Sequence, residues 1–204
     1  MYRLPEVNVP HRLCLLRHGQ TDWNRTGRLQ GRKNSDLTET GRAQALEQGR
    51  ALARLRPGLG VHRVFCSPLG RAQETARLAL GDEAVTTDPR LAEVACGRWE
   101  GTTQADRLLR DPTLASAYEE DFDLYVNAPG GEGFDALAQR LADFLTALDG
   151  PAVIFSHKVA LAVMRAMLSR GTSALSCTLA PEQGEILDIR PGSSGAETER
   201  ARAG

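Results

Sequence analysis

The fold is decided by a short stretch near the start of the chain, Leu13-Cys14-Leu15-Leu16-Arg17-His18-Gly19. Its first four residues form an apolar run with the length and composition of a strand buried in a parallel sheet. The run stops abruptly, and an arginine, a histidine and a glycine follow side by side. Two more short apolar runs, Val64–Cys66 and Ala152–Phe155, predict two further strands of the same kind.

Segments with helical periodicity separate these strands. Apolar residues recur at helical spacing in four segments, 45–53, 72–79, 134–148 and 159–167. Pro68 is well placed near the first turn of the second helix, and Glu185–Ile189 is typical of a last strand. Strands that alternate with helices predict an α/β fold, which we expect to be a three-layer α/β/α sandwich with a mostly parallel central sheet.

Length and charge limit the possible organisation and partners. The 204 residues suffice for one domain with a substantial core, and we expect a single domain over residues 1–190 and a polar tail over 191–204. The 25 basic and 26 acidic residues leave a formal net charge of −1. This balance gives no electrostatic case for binding nucleic acid or an anionic membrane, and the sequence leaves the oligomeric state open.

Composition also indicates the compartment. No apolar run approaches the ~20 residues needed to cross a bilayer, and residues 1–6 lack the apolar stretch of a secretory signal. The cysteines have neither metal-ligand nor redox spacing, and we expect buried reduced thiols at Cys14, Cys66, Cys96 and Cys177. Carboxylates and histidines are not paired at metal-binding spacing. The sequence therefore predicts a cytoplasmic protein with neither a metal site nor a cofactor.

The residues after the first apolar run are suited to holding and attacking a phosphate group. Arg17 offers a planar fork that matches two phosphate oxygens, and Gly19 has no side chain to keep an anion from its backbone N–H. Neutral imidazole at His18 is a nucleophile near neutral pH, and nearby cations favour that neutral form. A loop histidine more often only satisfies a local hydrogen bond, but this context favours a nucleophile.

Two other residues are expected at the same place. His157 follows the run Ala152–Phe155 as His18 follows its own strand, and ligands of open parallel sheets bind beyond the carboxyl ends of the strands. Arg71 lies in the first turn of a predicted helix, where a cation is unfavourable unless an anion is near. We therefore expect Arg71 to clamp a phosphate group together with Arg17.

An ordered set of motifs resembles the histidine phosphatase superfamily, which includes cofactor-dependent phosphoglycerate mutases and many small phosphatases. One Arg-His-Gly triplet is common by chance, but here the blocks follow the family's order over roughly residues 13 to 190. They are Arg17-His18-Gly19, Gln30-Gly31, Asp36-Leu37-Thr38 with Gly41, Ser67-Pro68-Leu69-Gly70-Arg71-Ala72-Gln73-Glu74-Thr75-Ala76, Glu93, Gly97-Arg98-Trp99-Glu100-Gly101, Pro129-Gly130-Gly131-Glu132 and Ser156-His157. The resemblance implies a phosphoglycerate mutase-like fold and hydrolysis of a small-molecule phosphate ester through phosphohistidine.

The resemblance also implies roles for individual residues. Glu93 is the general acid, which protonates the leaving oxygen and later activates water, and Glu100 is a rival by residue type. His157 is a charged second histidine that donates to the phosphoryl oxygens. The family's phosphatases use amides at the positions of Asn24 and Gln30 to contact the phosphate.

Two assignments near these residues stay open. The Thr21 hydroxyl either binds the substrate or serves the local turn. Lys158 stands where family members often carry glycine. Either its backbone N–H binds phosphate while the ammonium points to solvent, or the ammonium holds a second anionic group of the substrate. The sequence favours the first interpretation, because lysine side chains are mostly solvated. Glu132 has a structural interpretation as a favourable residue at a helix start.

Between Glu93 and Pro129 the chain departs from the family's mutases. An insertion at 94–128 is expected to cover the pocket, and Glu93 is followed by Val94-Ala95-Cys96-Gly97-Arg98-Trp99 without the mutase tyrosine. Acidic residues at 119–121 and 123 repel polyanionic substrates if they face the pocket, and we expect them to be solvated. A metal-independent phosphomonoesterase therefore outranks a mutase. His18 and Glu93 argue against a non-catalytic phospho-ligand sensor, since binding alone requires neither, and a protein-phosphohistidine phosphatase is a further option.

Overall fold

A computed structural model describes residues 2–60, 62–112, 121–169, 175–191 and 198–201. Its centre is a sheet of six strands, which are β1 Leu13–Arg17, β2 Arg63–Cys66, β3 Thr86–Thr87, β4 Ala152–Ser156, β5 Ile186–Ile189 and β6 Thr198–Ala201. Their order is β3-β2-β4-β1-β5-β6. The pairs from β3 to β1 are parallel, whereas β5 runs antiparallel to β1, and β6 runs antiparallel to β5. The mostly parallel sheet is confirmed.

Helices cover both faces of this sheet. They are α1 Asp22–Arg25, α2 Glu39–Leu55, α3 Gly70–Leu80, α4 Gln104–Arg110, α5 Asp121–Val126, α6 Phe134–Thr146 and α7 Lys158–Leu168. Side chains alternate along β1, so that Leu13 and Leu15 pack with α6 and α7, while Cys14 and Leu16 pack with α2 and α3. The three layers expected from the sequence are therefore present, and β1 is central because both of its faces are buried.

Two edge strands lie where the sequence predicts none. Both residues of β3 are exposed, and β6 lies inside segment 191–204, which was expected to be a polar tail. Ile189 of β5 pairs with Thr198 of β6. Edge pairing uses backbone hydrogen bonds and requires no apolar pattern, which is why sequence periodicity did not predict either strand.

The insertion at 94–128 packs onto the main core in its described parts. Trp99, Phe122 and Val126 are buried in the cluster that also holds α6 and α7. Asp123 accepts a hydrogen bond from the Tyr2 hydroxyl at 2.7 Å and so is engaged away from any ligand. Residues 119 and 120 and the side chain at 121 lie outside the described part.

All four cysteines are buried free thiols, as the sequence predicts. Burial raises the pKa of both Cys14 and Cys66 to about 12, so both stay protonated at neutral pH. Among the described residues, no helix is long and apolar enough to span a membrane.

Candidate active site

The imidazole of His18 is held in one tautomer at the carboxyl end of β1. Its Nδ1 lies 2.7 Å from the carbonyl oxygen of Gly19, and because a carbonyl only accepts, Nδ1 carries the proton. Nε2 therefore has a free electron pair, and it accepts a hydrogen bond from Nε of Arg71 at 3.3 Å. His18 is almost completely buried, so this orientation is fixed by the protein.

Arg71 is anchored by the loop that precedes α2. Its Nη1 donates to the carbonyl of Lys33 at 2.7 Å and its Nη2 to the carbonyl of Gly31 at 2.8 Å. Asn34 accepts the backbone N–H of Arg71 at 2.9 Å. The guanidinium is thus fixed beside His18, as the position of Arg71 at the start of α3 predicts.

Several buried polar atoms at the site have no protein partner. Among the residues that the structure describes, these include Nε of Arg17, Nδ1 of His157 and Oε1 of Gln30. Buried polar groups are normally hydrogen-bonded. The two nitrogens are able to donate, so they indicate a site for an acceptor such as a phosphoryl group, whereas the Gln30 oxygen can only accept. Nη1 of Arg17 lies 3.8 Å from a carboxylate oxygen of Glu182.

Both histidines are neutral in this arrangement. Burial, followed by the charges of Arg71 and Arg17, lowers the pKa of His18 well below its usual value. Burial, Arg71 and His18 do the same to the pKa of His157, whose ring centroid lies 5.2 Å from that of His18. The neutral His18 agrees with the sequence prediction. The resemblance implies a charged His157, whereas its burial and three neighbouring arginines favour the neutral imidazole.

The two arginines keep their charge in spite of burial. Burial lowers the pKa of Arg71 to about 10 and also lowers the pKa of Arg17. Arg71 is therefore still protonated at neutral pH, and the guanidinium of Arg17 stays charged under all ordinary conditions. Two buried cations beside two neutral imidazoles make a strongly electropositive site.

Asn24 and Gln30 meet at Thr21. The Asn24 amide oxygen accepts from the backbone N–H of Thr21 at 3.1 Å and from Gln183 at 2.8 Å, so the Nδ2 end of Asn24 points to the other side. Gln30 donates to the Thr21 hydroxyl at 2.8 Å. Thr21 is fully buried and caps α1 through that hydroxyl. The local-turn interpretation of Thr21 therefore accounts for its side chain, and Asn24 and Gln30 line the cavity.

The Glu93 carboxyl group lies at the first turn of α7. Oε1 accepts the backbone N–H groups of Val94 at 3.0 Å and Ala160 at 3.1 Å, and Oε2 accepts that of Val159 at 3.1 Å. Glu93 lines the cavity with His18. Its rival Glu100 instead accepts the backbone N–H groups of Arg32 and Cys96 with Oε1, so of the two carboxyl groups only that of Glu93 faces the cavity.

Gly19 has a different role from the one expected. Its N–H donates to the Thr75 hydroxyl at 3.0 Å and is not open to an anion. A Cβ on Gly19 would lie 2.2 Å from the carbonyl oxygen of Gly41. Glycine is therefore required because the first loop and the start of α2 approach closely.

The cavity is lined by Arg17, His18, Asn24, Arg28, Gln30, Gly31, Arg71, Glu93, Tyr125 and Lys158. Lys158 is a lining residue, in agreement with both open interpretations of its role. Arg28, Tyr125 and the nearby Gln183 were not predicted, because no motif marks them and only the tertiary fold brings their loops to the site. The clustering of arginines around one short loop segment, 25–32, is the signal that was available for Arg28.

Residues 13–197 match a family model described as the histidine phosphatase superfamily, branch 1. The chain belongs to the histidine phosphatase superfamily. The match covers β1 to β5 and every candidate site residue, so the superfamily's motifs and the cavity described above coincide.

Individual relatives show how far the likeness extends. A bifunctional protein of Mycobacterium tuberculosis is 40% identical over 135 residues, which are 65% of this chain but 36% of that protein. The chain thus spans about a third of that relative. An adenosylcobalamin/alpha-ribazole phosphatase of Salmonella typhimurium is 33% identical over 201 residues, 94% of this chain and 97% of the relative.

One similar solved structure contains an oxyanion. It is a mycobacterial glucosyl-3-phosphoglycerate phosphatase in complex with VO3, with a TM-score of 0.71 and 28% identity, and it covers 95% of this chain and 100% of its own.

Proposed function

We propose that this protein is a metal-independent phosphomonoesterase that hydrolyses a small phosphorylated metabolite through a phosphohistidine on Nε2 of His18. The observation that carries this proposal is the tautomer of His18, because the bond from Nδ1 to Gly19 leaves the electron pair of Nε2 available for attack. The relatives named as phosphatases support the reaction class. The VO3 complex of the mycobacterial relative supports oxyanion binding in a fold of this kind.

In the first step, Nε2 of His18 attacks phosphorus, and the P–O bond to the leaving group breaks. A protonated Glu93 donates its proton to the departing oxygen. Oε2 is the oxygen suited to carry this proton, because it accepts one backbone hydrogen bond whereas Oε1 accepts two. Arg71 then donates to a phosphoryl oxygen instead of to Nε2.

In the second step, water attacks the phosphohistidine, and the N–P bond breaks. The ionised Glu93 accepts a proton from that water, and the electron pair returns to Nε2 of His18. Arg17 and Arg71 stabilise the charge on the phosphoryl oxygens in both steps. Neutral His157 also contributes a donor, because Ser67 lies 2.7 Å from its Nε2 and a bond from that hydroxyl leaves the proton on the unpartnered Nδ1.

The proposal also includes the class of leaving group. Four cations and one carboxylate line the cavity, and Arg17 and Arg71 are assigned to the phosphoryl group. Lys158 directly precedes Val159 and Ala160, whose backbone N–H groups bind the Glu93 carboxyl group. We therefore place Lys158 toward the leaving group that Glu93 protonates. Arg28 is fixed nearby through Gly101 at 2.7 Å. We expect Lys158 to favour an ester whose leaving group carries its own anion.

A mutase would return the phosphoryl group to substrate, and a sensor would bind without turnover. The buried nucleophile His18 and the acid Glu93 favour catalysis over sensing, since binding alone requires neither. We also place the enzyme in the cytoplasm, which the buried free thiols support.

The proposal is tested by steady-state hydrolysis of a panel of metabolite phosphates with EDTA present, for the wild type and for His18→Ala. We expect the wild type to release phosphate from some esters and His18→Ala to release none above background. Activity that depends on added divalent metal, or turnover only with a bisphosphoglycerate primer, would overturn it.

A further inference from the structure

Arg140 donates hydrogen bonds to two backbone carbonyls and one carboxylate near the proposed general acid, Glu93. It lies in the middle of α6 and is mostly buried. Its Nη2 donates to the carbonyl oxygen of Glu93 at 3.3 Å, and its Nη1 donates to the carbonyl oxygen of Arg90. The guanidinium therefore binds the backbone of the segment that carries Glu93 at two points.

Glu132 fixes the orientation of Arg140. Its Oε1 accepts Nε of Arg140 at 2.6 Å and its Oε2 accepts Nη2 at 3.0 Å, which is the bidentate geometry of a strong ion pair. Glu132 also pairs with the backbone of Ala95, donating its N–H at 2.9 Å and accepting the Ala95 N–H at 3.3 Å. The interpretation of Glu132 as a favourable residue at a helix start therefore leaves out its bonds to Arg140 and Ala95. The bond to Ala95 could not be predicted, since no sequence pattern links the two residues.

These contacts hold the backbone around Glu93, in addition to the bonds made by its carboxyl group. The carboxyl oxygens bind backbone N–H groups at the start of α7, while Arg140 and Glu132 hold the backbone at Glu93 and two residues later at Ala95. Loss of the pair would free the backbone of Glu93 without replacing any lining residue, since neither Arg140 nor Glu132 lines the cavity.

The same carboxylate reaches the loop that anchors Arg71. Nη2 of Arg32 lies 3.2 Å from Oε1 of Glu132, and its neighbours Gly31 and Lys33 accept the guanidinium of Arg71. Glu132 thus lies between the segment that carries the acid and the loop that carries the phosphate clamp.

We propose that Arg140 and Glu132 are positioning residues that keep the Glu93 carboxyl group in line with the leaving oxygen. This inference rests on the proposed role of Glu93. Protonation of the leaving group matters most when the departing oxygen is strongly basic and least when it is a good leaving group. A misplaced acid therefore slows poor leaving groups selectively, whereas a general loss of stability slows all esters alike.

The test compares kcat/KM for phenyl phosphate and p-nitrophenyl phosphate, two esters of similar shape whose leaving groups differ in basicity. In Arg140→Met we expect kcat/KM for phenyl phosphate to fall by about 30-fold and that for p-nitrophenyl phosphate to fall by at most about threefold, as misplacement of a catalytic group predicts. Glu132→Gln should also lose more kcat/KM for phenyl phosphate than for p-nitrophenyl phosphate, but by a smaller factor. It serves as the second variant if Arg140→Met does not fold.

Two reference variants make the outcome decisive. Glu93→Gln should show the same selective loss at larger size. Arg12→Met breaks another bidentate pair, with Asp188, at the opposite end of β1, and should leave the ratio of the two kcat/KM values unchanged.

Equal losses for both esters in Arg140→Met and Glu132→Gln, with the selective loss present in Glu93→Gln, would overturn the positioning role alone. The absence of a selective loss in Glu93→Gln would overturn the proposed acid.

Discussion

Nε of Arg71 donates a hydrogen bond of 3.3 Å to Nε2 of His18, the nitrogen that we propose attacks phosphorus. In the proposed mechanism, substrate replaces this bond with one between Arg71 and a phosphoryl oxygen. Under that proposal, Nε2 of His18 keeps a hydrogen-bond partner until an anion enters the cavity.

Arg71→Lys should reduce kcat/KM by about 100-fold or more, because a lysine cannot bind two backbone carbonyls and a phosphoryl oxygen with one planar fork. The measurement is steady-state hydrolysis of p-nitrophenyl phosphate. Arg77→Lys, later in the same helix, is the control and should keep the wild-type rate. Near-wild-type activity of Arg71→Lys would contradict the anchored clamp.

The two depressed histidine pKa values predict how stability depends on pH. The pKa of His157 lies well below 6.5 in the folded protein and returns to about 6.5 in the unfolded chain. Between these values the unfolded state binds more protons, so the free energy of unfolding rises with pH. The stability that each neutral histidine contributes is fully present above about pH 6.5. As the pH drops from there toward the folded pKa, the free energy of unfolding falls by up to about 1.4 kcal/mol per pH unit for each histidine.

Urea unfolding between pH 5.5 and 7.5 measures this contribution. His157→Asn and His18→Asn should each lower the slope of the unfolding free energy against pH. Equal slopes for the wild type and both variants would show that neither histidine is held neutral by the fold.

Lys158 predicts a preference between two esters that differ at one group. 3-Phosphoglycerate carries a carboxylate where glycerol 3-phosphate carries a hydroxymethyl group, so their kcat/KM ratio reports recognition of a second anion. We expect the wild type to favour 3-phosphoglycerate. In Lys158→Met the ratio of the two kcat/KM values should fall about tenfold, which corresponds to about 1.4 kcal/mol. An unchanged ratio would mean that the ammonium points to solvent.

Replacement of Gly19 by alanine is expected to reduce the stability of the fold rather than phosphate binding. A Cβ at Gly19 would lie 2.2 Å from a backbone oxygen of Gly41, and backbone cannot yield easily, so Gly19→Ala should lower the free energy of unfolding by about 2 kcal/mol or more. Gly150→Ala is the matched control, because a Cβ there meets nothing within 4 Å. Equal urea midpoints for the two variants would contradict the close approach of the first loop to α2.

The sequence predicts those parts of the fold that bury apolar side chains. Strands β1, β2, β4 and β5 and the four long helices follow from apolar periodicity, since their inner faces are buried. The edge strands β3 and β6 carry no such pattern and were missed. Residues in motifs, such as His18, Arg71 and Glu93, do meet at the carboxyl ends of the strands, because parallel strands end at one edge of the sheet.

Other features of the site required the tertiary structure. Tyr125 and Gln183 reach the site on segments distant in sequence from β1, and the link from Glu132 to Ala95 spans two loops. The direction in which the pKa of His157 shifts also required the tertiary structure, because the extent of burial around an imidazole is not visible in its neighbours along the chain.

The central claim is most directly tested by trapping the phosphoenzyme. A phosphate ester labelled with ³²P is mixed with enzyme, quenched in base within milliseconds, and digested for mass spectrometry. We expect an acid-labile, base-stable label on the peptide that contains His18, absent in His18→Ala. Turnover with a label on another residue, or full activity of His18→Ala, would contradict it.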